Sequence, residues 1–436
     1  MRLLWTALAI LVVASGVSHA QSRNGMVDGK TLDQWIKLLK SRDPSVVERA
    51  IQNITKFGPA ARSDAGPELI KWVNDPRDVA VRSNAAFAIG VIGLDSGDVR
   101  AGVTALVRCL NNDNQRVVRF RAIYALGKLG PDAESATPAL VSAMRDSAAW
   151  EVRASAADAL AKVTYRQGKP PMLRAVTALT HALSDRAAQV RLQAILALAT
   201  VGAPGLVGEA RAIRADETQA LRTLVRKDKD KGNAVWGRAA LLGLKLEQNP
   251  ADVTKLVGEI GKEMTNPELE VRVQTAAALG ALVKTDRAAV RGLLPGLVGM
   301  LADKEQTAAQ AASDTLVHVK DLLSDRDVDR IDQLLHSSRA SARAAAAQTL
   351  GLLGDKSIRY IGDLVALLQD PESSVASAAC DALANIGEPA KALALPALNQ
   401  IVISGPYDVR PSALRALIRL SQPKAEQQNV PNKATR

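Results

Sequence analysis

The residue types able to do covalent or metal chemistry are few in this chain, and their spacing is wrong for it. Of the four histidines, His19, His181, His318 and His336, no two stand at i, i+4 and none is followed by Glu, so the HExxH zinc-hydrolase pattern is missing. The two cysteines, Cys109 and Cys380, make no CxxC and no disulfide framework. No GxxxxGK[ST], GxGxxG or GxSxG stands in a suitable context. His336 follows Leu334-Leu335 near an expected helix end, where a lone His is structural. Carboxylates are plentiful, but scattered along helix surfaces they make no acid/base pair without a pocket. No catalytic residue, metal site or cofactor is assigned. The residues left to carry function are aromatic and aliphatic side chains on a regular surface, so the elements that position them become the question.

The chain has 436 residues, of which 47% are apolar and only 3% aromatic. Its apolar content is therefore mostly Ala, Leu and Val, which favours helices built from small side chains and argues against a β-sandwich or barrel. Lys and Arg exceed Asp and Glu by 56 to 45, a formal charge of +11. Met1-Arg2, an apolar run from Leu3 to Val13, and Ser18-His19-Ala20 follow the order of a secretory signal peptide, with cleavage expected after Ala20. That run is too short for a bilayer span, and an uncleaved anchor is the alternative. Export to the periplasm or the exterior is the expectation, with no transmembrane span in the mature chain.

A single motif recurs through the mature chain. With Val118 as position 0 of the template Val118–Gly130, the same frame starts at 46, 81, 118, 152, 190, 236, 271, 308, 342, 375 and 409. Position +4 is Ala in ten of these eleven units, with Thr275 as the exception, and +8 is Ile or Leu in all of them. Residues at 0, +4, +7, +8 and +11 share one stripe of an α-helix. Alanine at +4 lets a neighbouring helix approach closely. A second apolar-periodic helix precedes each frame, for example Leu106 with Leu110 and Leu293 with Leu297. In the turns, Asp43-Pro44, Asp75-Pro76, Asn266-Pro267 and Asp370-Pro371 read as N-caps followed by proline at the first helical position. One unit is thus a helical hairpin of about 35 residues that buries its apolar faces against its neighbours.

The pattern Asp75-Pro76…Val81-Arg82…Ala85…Ala88-Ile89-Gly90 resembles the short HEAT repeat, of the variety found in phycobilisome-lyase-type proteins. The resemblance covers about residues 31 to 420 and implies an all-α fold, a right-handed α-solenoid (superhelix) of about eleven HEAT-like hairpins. Ankyrin and tetratricopeptide signatures do not recur. Within this resemblance deoxyhypusine hydroxylase binds iron through His-Glu pairs, which this chain lacks. Arg stands at +1 in seven units, as Arg82, Arg119, Arg153, Arg191, Arg272, Arg343 and Arg410. An Asp precedes the frame by five or six residues at Asp75, Asp113, Asp146, Asp185, Asp303 and Asp370. The resemblance implies that these form a structural ladder along the stack; a basic stripe for a polyanion is the alternative.

Positions +2, +6 and +9 of the second helix point away from the apolar stripe, and in the usual HEAT arrangement that face lines the concave groove. Phe87, Phe120, Tyr124, Leu192 and Leu196 fall there, a candidate partner-binding floor in units two to five. The leading expectation is a non-catalytic exported scaffold that binds a protein partner through this groove. The alternatives are a phycobilisome-lyase-like enzyme or chaperone acting on a tetrapyrrole-bearing protein, and a binder of acidic cell-surface polymer. Nucleic acid is not expected, because the basic residues are spread among acidic ones.

The expected organisation is a signal peptide at 1–20, a short leader at 21–30, N-terminal repeats at 31–203 and C-terminal repeats at 233–420. Between the two arrays, 204–232 reads as an irregular insertion or hinge; the long 46-residue interval before the frame at 236 holds Gly202-Ala203-Pro204-Gly205 and the charged run Arg226–Lys231. Residues 421–436 read as a disordered tail.

Overall fold

The computed structural model describes residues 25–145, 149–166, 172–201, 210–244 and 249–422. The expected signal peptide, Gly202–Gly205 and most of the expected tail lie outside the described residues. Among those described, the chain is all-α, with no strand beyond a single bridge between Val27 and Lys30.

The helices are α1 (Leu32–Leu38), α2 (Pro44–Thr55), α3 (Arg62–Trp72), α4 (Val79–Ile92), α5 (Val99–Asn112), α6 (Arg116–Leu129), α7 (Thr137–Ala143), α8 (Trp150–Thr164), α9 (Leu173–Ala182), α10 (Ala188–Val201) and α11 (Ala210–Lys227). They continue as α12 (Lys231–Gly243), α13 (Pro250–Glu263), α14 (Leu269–Leu282), α15 (Arg287–Gly299), α16 (Gln306–His318), α17 (Asp325–Gln333), α18 (Ala340–Leu353), α19 (Ile361–Ala366), α20 (Ser373–Ile386), α21 (Lys391–Ser404) and α22 (Arg410–Ser421). The eleven frames fall on the even-numbered helices, and each odd helix is the other arm of a hairpin. The chain divides into two compact units, Met1–Leu224 and Val225–Arg436, with the division inside α11. The charged run Arg226–Lys231 closes α11 and opens α12, where the Asp230 carboxylate accepts from the Asn233 N–H at 3.1 Å.

Within each unit every even helix packs on the next even helix, so an α-solenoid is formed. Position +4 has at most 3% exposure in every unit, from Ala50 to Ala413. Thr275, the exception in type, donates its hydroxyl to the Val271 carbonyl at 2.7 Å and so buries no free polar group. Position +8 is equally buried from Ile54 to Leu383, and only the last, Leu417, is half-exposed. Placing leucine at Ala122, which is fully buried, is expected to overpack the stack and cost about 1–3 kcal/mol, read as a lower melting temperature of the first unit.

Two expectations about local chemistry are corrected. Asp43 does cap α2, accepting from the Ser45 N–H at 2.9 Å with Pro44 at the first helical position. Asp75, Asn266 and Asp370 do not cap helices. Each helix starts further along, and each side chain accepts the N–H two residues on, from Arg77, Glu268 and Glu372 respectively, at 2.9–3.0 Å. This is an Asx turn, and it holds the connection between the two arms in a fixed bend.

The second correction concerns +9, which is buried at Gly127, Ala161, Gly351 and Ala384 and, among the described residues, open to solvent only at Ala199 and Ile418. A Cβ built on Gly351 would lie 2.5 Å from the Ala382 Cα, and one on Gly90 would lie 3.0 Å from the Ala125 Cα. Glycine there is the allowance for backbone contact between successive even helices. The helices end at +12 on glycines such as Gly93 (φ 77°) and Gly387 (φ 78°), a left-handed conformation that stops the helix.

Candidate functional site

The Arg and Asp positions of the frame are brought together across successive hairpins. Arg82 donates to Asp113 (Nε to Oδ2, 2.6 Å), Arg153 to Asp185 (2.7 Å), Arg272 to Asp303 (2.6 Å) and Arg343 to Asp370 (2.7 Å). Three of these guanidiniums are bidentate within 2.9 Å, using Nη2 to the second carboxylate oxygen. The Nη1 group turns back to a carbonyl of its own hairpin, as Arg82 to Asp75, Arg272 to Asn266 and Arg343 to Ser337. Each Asp also holds its own Asx turn, so one carboxylate fixes the bend of its hairpin and the register with the previous one.

Burial alone would raise the Asp185 and Asp303 carboxyls. The arginine hydrogen bonds and the turn N–H outweigh it and hold both below the ordinary value. For Asp370 the Arg343 hydrogen bond is the leading cause of the same lowering. These arginines are engaged within the stack, 6–14% exposed as side chains, and are poorly placed to meet a polyanion. Arg119 and Arg191 make the same turn-carbonyl contact, each at 2.9 Å to Asp113 and Asp185. Asp146, the ladder position after Arg119, lies outside the described residues. Arg410 donates to the Gly405 carbonyl at 2.9 Å.

The candidate binding residues lie on even helices of the first unit. Phe87 at +6 of α4 and Tyr124 at +6 of α6 stack with centroids 5.3 Å apart and planes at 27°. Equal positions on successive hairpins meet because the stacking offset is constant. Phe120, one turn before Tyr124 on the same helix face, is 36% exposed. Leu192 and Leu196 are one turn apart on α10 and half-buried. The row between them is not apolar throughout: +6 of α8 is Asp158, paired with Lys162 at 2.6 Å.

The sequence reading missed two cations on the rings. The Arg121 guanidinium lies 4.3 Å from the Phe87 centroid, and Lys128 Nζ lies 5.6 Å from that of Tyr124. Lys128 follows Tyr124 by four residues and could have been found from helix spacing. Arg121 crosses from one hairpin to the previous one, for which the sequence carries no local signal. Burial lowers the Arg121 pKa, with Tyr124 opposing, and burial raises that of the Tyr124 hydroxyl. Near neutral pH the cluster is thus two stacked neutral rings flanked by two cations, able to hold an apolar or aromatic group beside an anionic one.

The nucleophile candidates are inward. Cys109 and Cys380 are buried, and burial pushes both thiols up to about 12. His318 contacts its own helix, Nδ1 lying 2.7 Å from the Asp314 carbonyl oxygen. Among the described residues no group of three or more His, Cys, Asp or Glu could hold a metal ion, and no helix is long and apolar enough to cross a membrane. Asn53, in the triplet Asn53-Ile54-Thr55, is 2% exposed and donates to the Arg49 carbonyl, so it is closed to glycosylation in the folded chain.

Comparison with protein families gives a match to HEAT repeats at residues 32–127, 67–161 and 328–418, just over half of the chain. No curated protein matches. Among solved structures, an engineered protein is 21% identical over 90% of this chain and 99% of its own, with a TM-score of 0.35. The karyopherin Kap121p, bound to the extreme C-terminus of the protein phosphatase Cdc14p, is 16% identical over 91% of this chain and 46% of its own, with a TM-score of 0.48. Kap121p bound to Pho4p is likewise 16% identical, over 89% and 45%, with a TM-score of 0.46. The chain spans less than half the length of these karyopherins.

Proposed function

Because this chain belongs to the HEAT-repeat family, we propose that it is a non-catalytic exported scaffold that holds a protein partner on the even-helix face of its first unit. The export part of the proposal rests on the order of residues 1–20. The binding part rests on one observation, the Phe87–Tyr124 stack with its two cations and the exposed Phe120 beside it. Rigid aromatic anchors at a helical face are the residues expected to dominate binding energy. The working groups there bind by shape and charge, and none of them is poised to transfer an atom or a proton.

The test is capture from envelope or culture-fluid extract by the intact chain and by a Phe120→Ala/Tyr124→Ala double variant, with both baits shown folded by melting. The reading expects the affinity for at least one captured species to fall about thirtyfold or more with the variant, corresponding to two anchor residues worth ~1 kcal/mol or more each. Retention of the same species in equal amount overturns it. Moderate salt is expected to weaken the complex only slightly; steep weakening would instead favour an acidic polymer bound by charge.

A further inference from the structure

The last described hairpin of the second unit, α21 with α22, carries an apolar face on which no further hairpin packs among the described residues. Position +5 of the frame is the one that meets the next hairpin. It is fully or almost fully buried in the ten preceding units, from Ile51 and Ala86 to Ala347 and Cys380. In the eleventh it is Leu414, 49% exposed, and one turn later Ile418 is 54% exposed. The same hairpin exposes Leu393, Ile403 and Tyr407, so five of the twelve large hydrophobics most exposed among the described residues lie on α21, α22 and their connection. The first hairpin is the opposite. Its outward positions carry Asp33, Gln34, Lys37 and Arg49, and it exposes no large hydrophobic. Repeat arrays need terminal hairpins with a polar outer side; the first hairpin of the first unit has one and the last hairpin of the second unit does not.

We propose that this last hairpin docks on the last hairpin of a second copy of the chain, tail to tail about a twofold axis. Three observations select that occupant. Residues 423–436 hold a single large aliphatic, Val430, among polar and charged residues, and cannot replace an apolar hairpin face. The polar first hairpin offers Leu414 and Ile418 nothing to pack against, which disfavours a head-to-tail array. The face is apolar on both copies, so a twofold axis would set Leu414 and Ile418 of one against the same residues of the other, an isologous contact. Its cations are also arranged for this: Arg415 and Arg419 turn back toward α20, to Asp381 (3.8 Å) and Asn385 (2.7 Å). Arg410, which occupies the ladder position and meets no carboxylate within the chain among the described residues, stands at the start of α22. Antiparallel pairing of two α22 helices sets each Arg410 beside the carbonyl end of the other helix, where a cation is favoured.

Sedimentation velocity on the purified chain tests this. A patch of this size is small for a permanent dimer, so self-association with Kd on the order of 10 μM is expected. A Leu414→Lys/Ile418→Lys variant, whose substituted positions are already exposed, is expected to stay monomeric to about 100 μM, at least a tenfold loss. Should its circular dichroism or melting show misfolding, Ile403→Lys/Tyr407→Lys disrupts the same contact without altering α22 and is expected to weaken it similarly. A wild-type chain that is monomeric throughout, or folded variants that associate as well as wild type, overturns the proposal. Deletion of 423–436 is expected to leave association unchanged; association that appears only after the deletion makes that segment the occupant and overturns the second copy.

Discussion

An Arg272→Ala chain is expected to lose about 3 kcal/mol from the stability of the second unit, because it leaves the Asp303 carboxylate, 9% exposed, without its guanidinium. The loss is larger than that of the ion pair itself, since a buried charge stripped of its partner must be desolvated unaided. A control separates burial from charge pairing. Arg287 and Asp321 also pair across hairpins of this unit, but both are 56% exposed, and Arg287→Ala is expected to change stability by less than ~1 kcal/mol. The rung also sets a pH signature. Burial pushes the Asp303 carboxyl up, and the Arg272 bonds and the Glu305 N–H pull it net below its ordinary 3.8. A carboxyl lowered by folding stabilises above its unfolded pKa and loses that contribution as pH falls through the folded value. The difference between wild type and Arg272→Ala is thus expected to be flat from neutral pH down to about pH 5, then to shrink below pH ~4. Denaturant melts across that range check it; a difference that grows on acidification contradicts the rung.

Gly351→Ala is expected to destabilise the second unit by about 2–3 kcal/mol, against the usual preference of helices for alanine over glycine. The new methyl would stand 2.5 Å from the Ala382 Cα and 2.8 Å from its Cβ, so α18 and α20 must separate and lose their shared packing. Gly258, in the interior of α13, has nothing within 4 Å of an added Cβ. There the same substitution is expected to stabilise by up to ~1 kcal/mol. The opposite signs of two chemically identical changes, read by thermal melts, separate close helix approach from simple propensity.

These two sites also mark how much of the molecule was readable in advance. The apolar stripe of the even helices was fully legible, since +4 and +8 are set by local periodicity and Ala50 through Ala413 lie where that periodicity puts them. The partnership of Arg82 with Asp113 spans 31 residues, and spacing alone does not tell an own-hairpin Asp from the next one. Only the family resemblance pointed to the ladder. The Asx turns at Asp75, Asn266 and Asp370 were misread because Asp-Pro and Asn-Pro equally well open a helix; Arg77 and Arg343 hold the carboxylates of Asp75 and Asp370 in the turn, and at Asn266 the arginine grips the backbone carbonyl instead. Position +9 was misread where it is glycine, as at Gly90 and Gly351, because glycine has no polarity and hydropathy cannot say whether it faces water or another backbone. In the candidate site, the ring residues were found from their face, while the cation over Phe87 arises from an adjacent hairpin and was invisible.

The central claim is that the even-helix face around Phe120 is where a partner protein sits. A photo-crosslinking amino acid, p-benzoylphenylalanine, placed at Phe120 in the full chain and activated in the producing cells, tests it directly, with the same group at Arg108 on the exposed side of α5 as control. The account predicts a discrete protein adduct from position 120 that position 108 does not give. Absence of an adduct at 120, or the same adducts from both positions, would contradict it.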